Sequence, residues 1–173
     1  MAKIVLAVNF DIDQESELLD WSFNEEGQQI VPQTQGLETG MLQLKKGDVL
    51  VAQITANSYK DALSAFEVID CALINRPILN AWTLPQPGTY PPPSPYFDPA
   101  LEDTGGVSSM LPMQYGAASK AQQSCTGRSL TVTDIGRWET AFVVTVAITR
   151  TDGTRSNRVF AFDPETYVGT GAD

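Results

Sequence analysis

Residues 137–149 carry the pattern that most limits what this chain can become. Trp138, Phe142, Val144, Val146 and Ile148 fall on one side of a period-two repeat, and Glu139, Ala141, Val143, Thr145 and Thr149 fall on the other. An extended strand sends successive side chains to opposite faces, so this repeat predicts a strand with its large residues in a core and its small or polar ones outward. At strand rise the run spans roughly 43 Å, long for one strand, so a bend or bulge is expected within it. Asp152-Gly153 is a hairpin-type turn signal. Arg155 to Phe162 then returns antiparallel, with Phe160 and Phe162 on a shared face.

The same alternation recurs upstream. Ile4, Leu6, Val8 and Phe10 share one face of a first strand, opposite Lys3, Val5, Ala7 and Asn9. Residues 48–56 follow a Lys-Gly-Asp turn and align Leu50, Ala52 and Ile54. Residues 65–74 are apolar on both faces except at Glu67 and Asp70, which suits a strand deep in a sheet. A shorter run, Leu130 to Thr133, precedes the terminal hairpin. Helical patterns are few and short: Gln14 to Trp21, Tyr59 to Phe66 with Asn57 as its cap, and Gln114 to Gln123. Many short strands without intervening long helices predict an all-β chain, an antiparallel β-sandwich of jelly-roll or Ig-like type with at most short helices.

The 173 residues fit one domain spanning the whole chain, and 42% hydrophobic against 18% charged residues is a globular balance. Eight of the 11 prolines fall between Pro77 and Pro99. Proline removes a donor and blocks a central strand, so residues 77–99 should form a long polyproline-like loop across the sandwich. No apolar run reaches the roughly 18 residues of a membrane span. The first apolar run is too short for a secretion signal and is followed by acids, so a cytoplasmic protein is expected.

Absences narrow the chemistry. With no histidine in the chain, Ser-His-Asp and Cys-His catalysis and His-containing metal sites are excluded. The phosphate-binding glycine loops, the SxxK pair and the GxSxG elbow do not occur either. The net charge of −10 opposes nucleic acid and anionic lipid, so neither is expected as a partner. The acids concentrate in residues 1–40, whereas five of six arginines lie between Arg128 and Arg158. That asymmetry is either ordinary solvated surface or a means of orienting neighbouring copies. Of the two cysteines, Cys71 sits in an apolar run and reads as a core thiol. Cys125, in a Ser/Gln/Gly stretch, reads as exposed, and sequence alone does not decide whether the two pair.

Four aromatics interleave with the proline segment: Trp82, Tyr90, Tyr96 and Phe97. Rigid aromatics of this kind stack on sugars or pack on a partner chain, or else fold back to cover the sandwich's own edge. Asp11 and Asp13, with Glu15 and Asp20 nearby, are the best metal candidates, because carboxylates two apart on a turn can share a hard cation. They lack the glycine and terminal glutamate of a calcium loop, and acids capping a strand end is the simpler reading. Glu67 or Asp70 would be buried if its strand is central, with Arg76 as a structural partner. No acid pair is singled out for hydrolysis, and no cofactor is implied.

Several short features taken together resemble the bacterial inclusion-body proteins of the AidA/PixA type. They are the acidic turn closing the first strand, Ile4-Val-Leu-Ala-Val-Asn-Phe-Asp-Ile-Asp13, the strand start Lys46-Gly-Asp-Val-Leu50, the proline-rich middle, and the closing Phe162-Asp-Pro-Glu165. The chain departs from that family at Phe162, where a tryptophan is usual, and at Val51-Ala52, where Arg-Trp is usual. The resemblance implies a small cytoplasmic β-sandwich that accumulates in bacterial cells, with no catalytic residues to carry over. The expectation is therefore a non-enzymatic, self-associating homo-oligomer using edge-strand or face-to-face pairing. A carbohydrate- or peptide-binding module and, last, a carboxylate hydrolase are the alternatives.

Overall fold

The computed structural model describes residues 1–30, 41–78, 91–97, 106–162 and 165–169. In chain order the strands are β1 (Lys3–Asp11), β2 (Asp20–Glu25), β3 (Gln28–Gln29), β4 (Met41–Lys45), β5 (Val49–Asn57), β6 (Leu63–Pro77), β7 (Tyr96–Phe97), β8 (Val107–Ser109), β9 (Gln114–Tyr115), β10 (Gln122–Val132), β11 (Gly136–Arg150), β12 (Arg155–Phe162) and β13 (Glu165–Gly169). There is no helix among the described residues. The first sheet runs β3-β2-β1-β5-β10-β7, with β9 also on β10; the second runs β4-β13-β11-β6-β8, with β12 also on β11. Antiparallel pairing dominates, but each sheet contains one parallel pair, β1 with β5 and β13 with β4.

The sheets pack face to face as a sandwich. From the first sheet Ile4, Leu6, Val8 and Phe10 of β1 and Leu50, Ala52, Ile54 and Ala56 of β5 point inward. From the second, Trp138, Phe142, Val144, Val146 and Ile148 of β11 meet them, with Cys71 and Leu73 of β6 and Phe160 of β12. Phe10 stacks on Phe160 at 4.5 Å between ring centroids, and Phe66 meets Phe10 edge-on at 6.0 Å, so aromatic packing joins the sheets at that end. The alternation read in residues 137–149 is thus an inward and outward alternation. The irregularity expected within residues 137–149 falls instead on the partner strand: β11 runs uninterrupted for 15 residues, and the register shifts at Thr145/Val146 and Thr149/Arg150 leave the extra residues, Ile69 and Ser64, on β6.

None of the three short stretches where the sequence left room for a helix forms one, each for a local reason. Across residues 14–18 the carbonyls are taken by side chains. Gln14 Nε2 donates to the oxygens of Ser16 and Leu18, and the Arg158 guanidinium donates to those of Gln14, Glu15 and Ser16. The segment is thereby held extended along β12, bridging at Ala161. Asn57 ends β5 rather than capping a helix, and Ser58 instead turns the chain by accepting from Ala62 N at 2.9 Å. Residues 114–123 begin as β9 and end in β10.

The outer edge of β6, beyond its short pairing with β8, is closed by both side chains and backbone of neighbouring segments. Phe66 N donates to Gln123 Oε1 at 3.0 Å, and Val68 N donates to the Tyr115 hydroxyl at 2.7 Å. On either side of these, Leu63 N donates to Lys120 O and Cys71 O accepts from Met110 N. Backbone groups of an edge strand that would otherwise face water are satisfied within the chain.

Candidate interaction surfaces

The proline-rich segment is described only in its last part, residues 91–97, and that part is pinned to the end of the sandwich. Pro92 O accepts from Trp138 Nε1 at 3.0 Å, and Pro95 O accepts from Thr133 N at 2.9 Å. Beneath it lies a buried polar cluster. Asn75 Nδ2 donates to Ser94 Oγ at 3.0 Å, Thr140 Oγ1 donates to Asn75 Oδ1 at 3.0 Å, and the Ser94 and Ser108 hydroxyls lie 3.4 Å apart. Gly106 closes the cluster at φ +92°, and a β-carbon there would lie 2.6 Å from Asn75 O, so only glycine fits. Each member is hydrogen-bonded, so the cluster fixes the segment in place at little desolvation cost.

This placement separates the four aromatics. Tyr96 pairs with Val132, points inward and is only 4% exposed, so it covers the sandwich's own interior and is not a platform for a ligand. Phe97, one residue on, is 48% exposed beside Thr131. Trp82 and Tyr90 lie outside the described residues.

The acidic turn is a clasp. Asp11 accepts from Asp13 N at 2.8 Å and from Tyr59 N at 3.2 Å. Asp13 pairs with Arg150 at 2.6 Å and sits 3.6 Å from Lys60, while Arg150 also donates to Ile12 O. The carboxylates put forward as metal ligands are thus engaged by protein groups that tie the end of β1 to the end of β11. Among the described residues no group of three or more acids and thiols converges as a metal site.

Other expectations need correcting. Glu67 and Asp70 are both exposed, because they fall on the outward side of β6. Glu67 pairs with Arg155, and Arg76 pairs instead with Glu139. Cys125 is buried in the core like Cys71, and both thiols are free. Burial pushes the Cys125 thiol up to about 12, against a bond with Ile54 that lowers it. Burial also raises Cys71, with Cys125 and Asp70 adding to the effect. Neither thiol is a nucleophile near neutral pH.

An open cleft of about 1040 Å³ lies at one end, lined by Met1 to Val5, Glu25 to Gly27, Ile30, Leu42, Gln43, Lys45 and Asp48. Its one buried acid, Asp48, spends both oxygens on backbone donors, accepting from Ala2 N at 2.8 Å and Lys45 N at 2.9 Å. That carboxylate works as a turn brace, joining the start of the chain to the β4–β5 turn.

The outward face of the second sheet was not singled out in the sequence. Register places Val107, Ile74 and Ala141 in one row and Ser109, Ala72, Val143 and Ala161 in the next, with Val159 beside Thr145 beyond. Ile74 is 43% exposed, Val107 41% and Val159 50%. Contiguous apolar side chains on a sheet face mark an interaction site more often than scattered ones do. The signal was available: the residues between the core positions of 137–149 include Ala141, Val143 and Ala147, fewer polar groups than a solvated face carries.

The chain matches no protein-family model, and no curated protein is significantly similar to it in sequence.

Proposed function

We propose that this chain is a non-enzymatic β-sandwich protein that works by self-association, in the manner of proteins that accumulate as inclusions in bacterial cells. The observation that carries the reading is the apolar outward face of the second sheet, where Ile74, Val107 and Val159 remain exposed around small Ala and Val residues. Leaving such area in water is unfavourable by about 25 cal/mol per Å², and a second protein surface removes it. The candidate chemical groups point the same way: the acidic turn is a structural clasp, the thiols are buried and neutral, and both Asp48 oxygens brace backbone donors. Sedimentation equilibrium between 1 and 100 μM tests the reading. A mass that is a multiple of the chain's and rises with concentration is expected, and a monomer throughout would refute it.

A carbohydrate- or peptide-binding role keeps one aromatic among the described candidates, Phe97. A glycan array read with wild type and Phe97→Ala would support that alternative only through a signal that the substitution removes.

A further inference from the structure

The charges framing the apolar face carry more information than its hydrophobicity. At one end, Arg76 on β6 and Glu139 on β11 are register partners joined at 3.7 Å. At the other, Glu67 on β6 is joined at 3.2 Å to Arg155, which reaches from β12 across β11. Ala147 of β11 lies between them and is almost fully buried although it points outward, consistent with the Glu67–Arg155 pair lying over it. Four charges therefore stand at the corners of the face, roughly 26 Å apart along the strands. On the β6 side the signs run positive (Arg76) then negative (Glu67); on the far side they run negative (Glu139, on β11) then positive (Arg155, on β12, its guanidinium reaching back over β11). Among the described residues two more charges share this face: Asp70, where β8 has ended and β6 is the sheet's margin, and Arg137, one outward position beyond Glu139.

A four-cornered pattern of alternating signs is its own complement under a two-fold rotation. Turning a copy over about an axis along the strands exchanges the columns, and turning it about an axis across them exchanges the rows. Either way each corner cation meets a corner anion. Stacked sheets keep their strands within about 30° of alignment, so both arrangements lie within normal sandwich geometry. Resting on the self-association reading, we infer that the partner of this face is the same face of a second copy. The contact is isologous, with Val143, Ile74 and Val159 at its centre and the four charges at its rim. Rim charges of this kind orient and select a partner more than they tighten it.

Wild type, Val159→Arg, Arg76→Glu and the full inversion (R76E, E139R, E67R and R155E together) would be compared by sedimentation equilibrium, with circular dichroism as a check on the fold. Val159 is half exposed, so the first variant does not depend on repacking the core. It should raise the dimer dissociation constant by about 100-fold, by burying an unpaired charge. Arg76→Glu should raise it by about 10-fold. The full inversion restores alternation and should dimerise like wild type. A wild type that oligomerises with undiminished affinity in Val159→Arg would overturn this face while leaving self-association standing. A monomeric wild type would overturn both. Loss of dimer in a folded inversion variant, beyond that of Arg76→Glu, would overturn the alternating-corner geometry.

Discussion

The two outward faces of this sandwich are made by strands of the same kind and carry different chemistry. Across the first sheet run the rows Ser22–Ala7–Gln53–Thr126 and Asp20–Asn9–Thr55–Ser124, rich in hydroxyl and amide groups. Across the second run Val107–Ile74–Ala141 and Ser109–Ala72–Val143–Ala161. The inward rows differ little between the sheets, since both must fill one dry interior. The inner half of the alternation is therefore dictated by folding, whereas the outer half is free to record what each face meets. The first is mostly polar, with Val5 and Val51 as one apolar rung between Asn24 and Ser129. The other holds apolar area that water disfavours, framed by charges.

The largest effect should come from breaking what the two faces share. Phe142→Ala empties a site at the centre of the common interior and should lower unfolding free energy by about 3–5 kcal/mol, measured in urea. A loss below about 1 kcal/mol would mean that the inner rows are not closely packed. The next effect is a pH dependence carried by one inward thiol from each sheet, Cys125 on β10 and Cys71 on β6. Both ionise near 9.0 when free of their surroundings and higher in the folded chain. The unfolded state thus releases these protons first. Their contribution is complete below pH 9 and is lost as the pH rises toward the folded values. Stability should fall by about 1.4 kcal/mol per pH unit per thiol above pH 9, and Cys125→Ala should halve that slope. A slope unchanged by the substitution would place the titration elsewhere. The smallest effects on stability separate the faces themselves. Val159→Ser and Thr126→Lys should each change unfolding free energy by no more than about 0.5 kcal/mol. Only Val159→Ser should lower the native mass; the reverse result would exchange the roles assigned to the two sheets.

How much of this was legible in the sequence follows from which side of a strand was apolar. β1, β5, β11 and β12 announce themselves because large apolar residues alternate with something different, and β6 because it is an apolar run broken only at Glu67 and Asp70. β10 was readable only at its end, Leu130 to Thr133. Earlier, Gln123 occupies an inward position, where its side chain serves the backbone of Phe66, and so breaks the alternation. The same polar surroundings made Cys125 look exposed. β2 was hidden because residues 14–21 looked helical to a local reading, whereas distant Arg158 decides their conformation. The parallel pairing of β1 with β5 has no local sequence signature at all. Among the candidate site residues, composition located the aromatics but could not tell Tyr96 from Phe97. Adjacent strand positions face opposite ways, and the phase was set by Val132 across the ladder.

The lacing of β6 by Gln123 and Tyr115 bears on how far assembly can proceed. A bare strand margin recruits a strand, which offers another margin, and so on without limit; fibres grow this way. Along β6 the rungs at Phe66 and Val68 are already occupied, so an incoming strand would first have to evict the protein's own residues. Association through a broad face saturates instead after a single encounter. On the self-association proposed above, a chain stoppered on this flank would crowd at high concentration without polymerising through it.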